Sequence, residues 1–113
     1  MLVLLVLLLV ATSTPALAGS FRASYEAPAE CPDRAAFVRA VEQRLSGWRH
    51  GDDAGAVVDR EIAVSIAKTG AGYAGTVLLG DAQGKREVDG TQCESVVRAL
   101  SLVTAVSLDP AAG

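Results

Sequence analysis

EIAVSIAKTGAGYAGTVLL, residues 61–79, decides the fold. Ile62, Val64 and Ile66 alternate with Glu61 and Ser65, the period of two that marks a strand with one buried face. Thr69-Gly70-Ala71-Gly72 supplies a turn, and Tyr73, Val77 and Leu79 are in phase on the returning strand. A hairpin of this kind is marginal alone, so the flanking sequence must supply a cover for its apolar face.

Downstream, Gly80-Asp81-Ala82-Gln83-Gly84 turns the chain into a short edge strand over 85–88, whose charges discourage edge-to-edge pairing. Asp89-Gly90 then breaks the chain. Thr91-Gln92-Cys93-Glu94 fits the S/T-x-x-E capping box, in which Thr91 bonds the amide of Glu94 and the Glu94 carboxylate returns to Thr91. Cys93 opens the helix that follows and shares a face with Val96, Val97, Leu100 and Val103, until Asp109-Pro110 stops it. Upstream, residues 49–59 read as a polar surface loop. Before it, Cys31-Pro32-Asp33 opens a helix with Cys31 at the N-cap and Pro32 at the first helical position. That helix is expected to run to Trp48, with Phe37, Ala40, Val41, Leu45 and Trp48 on one face and Gly47 and Gly51 bracketing its end. Residues 20–27 alternate again, Phe21, Ala23 and Tyr25 against Ser20, Arg22, Ser24 and Glu26. The expected architecture is α+β, a small, mostly antiparallel sheet in the order β-α-β-β-β-α with two helices on one face and one disulfide. Strand order does not follow from the sequence.

The N-terminal run MLVLLVLLLV is too short for a bilayer span, which needs roughly twenty apolar residues. It is followed by Thr12, Ser13 and Pro15 and then by Ala16-Leu17-Ala18, an A-x-A cleavage signature. A signal peptide over 1–18 is expected, leaving one domain over 19–110 and a frayed tail at 111–113, with no stable membrane span after cleavage and a periplasmic or secreted destination. No Lys or Arg precedes Arg22, a departure from the usual basic start of such peptides, which a start codon assigned too far downstream accounts for. An exported chain with two cysteines has one obvious pairing, Cys31 with Cys93. Their separation of 62 positions leaves no C-x-x-C redox motif or zinc knuckle. The alternative is a nucleophilic cysteine, which would need an activating base where a single histidine exists.

The net charge of −3 and the scattered basic residues exclude a stripe that tracks a phosphate backbone, so nucleic acid is not an expected partner. Eight of the basic residues are arginine, a bias that goes with GC-rich coding. Taken together, Cys31-Pro32 opening a helix, the β-meander, Asp89-Gly90-Thr91-x-Cys93 opening a second helix and the final Leu108-Asp109-Pro110 resemble an uncharacterised α+β domain of secreted and envelope proteins in GC-rich bacteria. The resemblance spans residues 21–110. It implies an N-terminal module that precedes a Pro-rich linker and a further envelope domain; here the sequence stops at Gly113, as a stand-alone version or a truncated product. It carries over no catalytic residues.

The reactive side chains form no constellation. His50 sits after Trp48-Arg49 in a Gly/Asp loop, and an exposed loop residue is its plain interpretation. As a base it would need a nucleophile and an orienting acid; Ser46 and Asp52 are near in sequence but lack a G-x-S-x-G context. Asp52, Asp53 and Asp59 lack the alternating ligands and the twelfth-position Glu of a calcium loop. Residues 80–85 lack phosphate-loop spacing. No catalytic, cofactor-binding or metal residues are therefore expected. Core packing is the default reading of the aromatics, and Trp48, at a helix end beside a polar loop, is the one candidate among them for a partner contact. The favoured expectation is a non-enzymatic exported module that binds or scaffolds another envelope component. Its alternatives are a small exported hydrolase using His50, Asp52 and Asp53, and a homodimer through residues 85–88.

Overall fold

The computed structural model describes residues 19–51, 57–80 and 84–112. The expected signal peptide, the acidic residues Asp52 and Asp53, turn residues 81–83 and Gly113 lie outside the described residues. The chain runs β1 (Gly19–Glu26), α1 (Arg34–Glu42), β2 (Trp48–His50), β3 (Arg60–Lys68), β4 (Tyr73–Leu78), β5 (Lys85–Gly90) and α2 (Cys93–Leu108), and closes on a 3-10 turn, Pro110–Ala112. The fold is α+β, as the alternation and the helical periodicity imply.

The strands form one sheet in the order β2-β1-β3-β4-β5. The β3–β4 and β4–β5 ladders are antiparallel, each registering six residues, while β1 is parallel to β3 on one side and to the short β2 on the other. The sheet is thus mixed, with antiparallel pairing predominant. In this register Phe21, Ala23, Ile62, Val64, Ile66, Val77 and Leu79 share one face, and all are buried. Both helices cover it. Phe37 and Val41 come down from α1, and Val96, Leu100 and Ala105 from α2. Tyr25 stacks on Phe37 with ring centroids 5.6 Å apart. Gly75 faces α2 so closely that a Cβ there would lie 2.6 Å from Leu100 Cδ1 and 2.8 Å from Val96 Cγ1. That missing side chain is what lets α2 lie flat on β4.

The first helix is shorter than its periodicity suggests. Asp33, not Cys31, is its N-cap: the Asp33 carboxylate accepts the Ala36 amide at 2.9 Å, which an oxygen-bearing cap does and a thiol does not. The helix ends at Glu42. Two tighter turns follow, with the Arg44 amide on the Val41 carbonyl and the Leu45 amide on the Glu42 carbonyl. Gly47 then adopts φ 81°, a left-handed conformation open to glycine, and turns the chain into β2. Leu45 and Trp48 still face the core as the helical spacing demands, but from a turn and a strand. The stretch Trp48-Arg49-His50, which helical spacing and loop composition divide between a helix end and a loop, is a strand paired to Gly19, Ser20 and Phe21.

The second helix also starts differently in detail. Its N-cap is Gln92 with no side-chain cap bond, so the expected capping box between Thr91 and Glu94 does not form. Cys93 is the first helical residue, and it is fixed there by covalent chemistry instead. Cys31 and Cys93 are disulfide-bonded with Cα atoms 5.4 Å apart. Cys31 lies two residues ahead of the α1 cap, so the bond ties the approach to one helix to the first turn of the other. Beyond β4, strand β5 extends through Asp89-Gly90, where turn chemistry suggests a break, because Gly90 pairs with Tyr73.

Candidate functional site

His50 and its neighbours form a polar junction between α1 and the sheet. The residue is half-buried at the end of β2, not exposed on a loop, and it lies opposite Phe21. The Gly51 amide still reaches the Phe21 carbonyl at 2.9 Å, but β2 has ended before the next outward-facing backbone groups of β1, those of Ala23. Side chains take that place. Arg34 Nε donates to the Ala23 carbonyl at 2.8 Å, and the Ala23 amide donates to His50 Nε2 at 3.4 Å. Arg34 Nη2 lies 3.0 Å from the same Nε2. A guanidinium and an amide can only donate, so Nε2 accepts from both and the ring proton of the neutral imidazole belongs on Nδ1. The Phe21 ring packs against the imidazole at 5.2 Å, and Glu42 Oε2 accepts the His50 amide at 3.3 Å.

A cavity of about 280 Å3 opens beside this junction, lined by Arg34, Ala35, Val38, Arg39, Glu42 and His50. Its charges are mixed, two guanidinium groups against one carboxylate. The imidazole presented to it has its Nε2 lone pair committed to Arg34 and Ala23, so that atom accepts no proton from a nucleophile in this arrangement. His50 acts here as a surrogate strand residue that completes a sheet edge. Of the His50, Asp52 and Asp53 group, only His50 is among the described residues. Asp59 is held elsewhere: its Oδ2 accepts the Ser20 amide at 2.9 Å and the Ser20 hydroxyl at 3.2 Å, and its own amide donates to Ser20 Oγ at 3.1 Å. It pins the entry to β3 against β1. Trp48 is half-buried on the helix side of the sheet, its six-membered ring over Gly19, where a Cβ would come within 3.0 Å. Its indole Nε1 is buried without a hydrogen-bond partner among the described residues.

A second polar cluster surrounds the disulfide. The Tyr73 hydroxyl donates to Glu30 Oε2 at 2.9 Å, and Lys68 Nζ lies 3.4 Å from the same oxygen. The Tyr25 hydroxyl donates to the Pro32 carbonyl at 2.6 Å. The Glu30 carboxyl is held below its ordinary value, chiefly by its own backbone amide and then by the Tyr73 hydroxyl. The Tyr73 hydroxyl is raised by that same bond to Glu30 and then by burial, and Tyr25 is raised by burial and by the nearby Asp33. These contacts tie the loop before α1 to the ends of β1, β3 and β4.

Among the described residues, no three His, Cys, Asp or Glu side chains gather as metal ligands, and no helix is long and apolar enough to cross a membrane. The opposite face of the sheet is uncovered by either helix. Ser24, Ser65 and Ala67 lie exposed there, Ala63, Ala74 and Thr76 half-buried beside them, and Leu78 is 48% exposed at the margin. The bonding roles of Arg34, Glu42 and Tyr73 escape notice in the sequence. Their partners lie 11, 8 and 43 residues away, and the one local sign is the alternation of Trp48-Arg49-His50.

Fold and site together define a disulfide-tied α+β domain whose sheet has one face covered by both helices and one that, among the described residues, no helix covers. Comparison with protein-family models, with curated proteins and with solved structures finds no match for this chain.

Proposed function

We propose that the chain is an exported, non-enzymatic module of the bacterial cell envelope that binds or scaffolds another envelope component. A signal peptide over 1–18 delivers it, and it works in the periplasm or outside the cell as a relative of the envelope domains its cysteine and turn pattern resembles. The Cys31–Cys93 bond is compatible with such an oxidising space.

The observation that carries the binding role is the open face of the sheet. Small side chains keep that face flat over three adjacent strands, from Ser24 across Ala63 and Ser65 to Ala74 and Thr76. Charge surrounds it: Arg22 and Glu61 pair at 3.9 Å on one side, Lys85 and Glu87 at 3.9 Å on the other. These pairs give the face a polar rim, a feature that protein-binding surfaces share. A photo-crosslinking residue at Ser65, on this face, tests the role in intact cells against one at Arg44, exposed on the helix side. The expected outcome is one discrete envelope adduct from position 65 and none from position 44. Absence of an adduct at 65, or the same adducts from both positions, overturns the reading.

A further inference from the structure

We propose that the domain pairs with a second copy of itself through the outer edge of β5, giving a sheet of twice its five strands across a two-fold axis, with the two α2 helices side by side above it. This goes beyond the envelope role and does not depend on it.

β5 is the last strand of the sheet. In an antiparallel ladder, residues alternate between pointing their backbone groups at the neighbouring strand and pointing them away. The Leu79 amide donates to the Gly84 carbonyl at 2.9 Å, and by the register of β4 and β5 this places Arg86 and Val88 on the bonded side. The N–H and C=O groups of Lys85, Glu87 and Asp89 therefore point outward from the edge. One of them is already in use: Arg86 Nη1 donates to the Lys85 carbonyl at 3.3 Å.

The edge reads Lys85-Arg86-Glu87-Val88-Asp89, positive at its start and negative at its end. Such a strand repels most others. Laid antiparallel on its own copy about an axis at Glu87, its two oppositely charged ends become complementary. Lys85 then faces Asp89 of the second copy twice over, and Arg86 faces Val88. The two Glu87 side chains meet near the axis, each beside its own Lys85 at 3.9 Å. Outward backbone groups meet outward ones in this register, for about six new hydrogen bonds.

The covered face fits the same arrangement. Along the β5 side of α2 runs a groove of about 540 Å3, lined by Arg86, Leu102, Val103, Val106, Ser107 and Pro110, in which Leu102 is 38% exposed. Helix α2 packs on both β4 and β5. With strands about 4.8 Å apart, a helix centred over that pair sits about one spacing from the proposed axis. Its symmetry mate is then about 9.6 Å away, within the 8–10 Å of packed helices. Pairing the edges therefore brings Leu102 and Val106 of one copy against the same groove of the other, where no other partner needs to be supplied.

Sedimentation equilibrium on protein purified after expression of the full chain tests this. Wild type should show a reversible monomer–dimer equilibrium. Lys85→Asp and Asp89→Lys should each weaken it by about tenfold or more, because each puts like charges opposite each other at two symmetric places. An equimolar mixture of the two variants should regain wild-type affinity as a heterodimer. The two introduced charges then oppose each other with unlike sign at one symmetric place, and the native lysine–aspartate pair stands at the other. This regain also shows that both variants fold. A wild type that stays monomeric to millimolar concentration overturns the proposal. So do single variants that dimerise like wild type, which places the contact on another surface, and a mixture that associates no better than its components.

Discussion

Arg34 illustrates how a single side chain completes a sheet. It projects from the first turn of α1 to the Ala23 carbonyl and to His50, where β2 is too short to reach. Arg34→Met keeps the apolar stem and removes both donations, leaving the Ala23 carbonyl without its arginine partner. A buried acceptor left in that state costs about 1–3 kcal/mol. Urea denaturation should register the loss as a lower midpoint with an unchanged slope. An unaltered midpoint would mean that water serves the β1 edge equally well. Sequence offered no way to see this role, because a lone arginine in a helix reads as a solvated charge and its partner's position depends on how the sheet is assembled.

At the scale of elements, the contact between α2 and β4 sets the thickness of the domain. Gly75 has no room for a side chain beneath Val96 and Leu100. Gly75→Ala should lower stability by about 1–3 kcal/mol, the usual cost of overpacking, despite alanine's ordinary compatibility with a strand. Thermal unfolding followed by circular dichroism measures it, and a rise in melting temperature would show that α2 can shift without loss. Helix α2 itself was evident in the sequence, since Val96, Val97 and Leu100 repeat at helical spacing and Pro110 ends it. Helix α1 was harder to bound. Leu45 and Trp48 continue its apolar face in register, so periodicity ran through Gly47, whose left-handed turn is what actually releases the chain into β2.

Across the whole molecule, the disulfide and the polar cluster beside it hold the two helices and the sheet in one unit. The bond closes a loop of 62 residues, worth about 4 kcal/mol in the chain-entropy account. Replacing both cysteines by serine should therefore remove a large part of the stability of a domain this small, and denaturant unfolding of the variant against wild type gives the value. A difference below about 1 kcal/mol would mean that the unfolded chain is already constrained. The pH dependence follows from the directions of the shifts. Glu30 is lowered, so what it contributes is full above the ordinary 4.5 and is lost as pH falls through its folded value. Tyr73 and Tyr25 are raised above 10.0, so their contributions are full below that and are lost as pH rises through their folded values. Stability should form a plateau with an acid and an alkaline limb. Glu30→Gln should flatten part of the acid limb in pH-dependent melting, and an identical acid limb in that variant would remove Glu30 from the account.

The sequence by itself determined the types of the elements other than β2, the inward faces of the strands and of α2, and the pairing of Cys31 with Cys93. Each of these is written in local periodicity, in turn chemistry or in the arithmetic of two cysteines. Only the tertiary structure decided the strand order, the existence of β2, the true cap of α1 and the partnership of Arg34 with His50 and Ala23. Those depend on which backbone groups lack a neighbouring strand once the sheet has formed, a property that arises between segments far apart in the chain and leaves no periodic trace within any one of them.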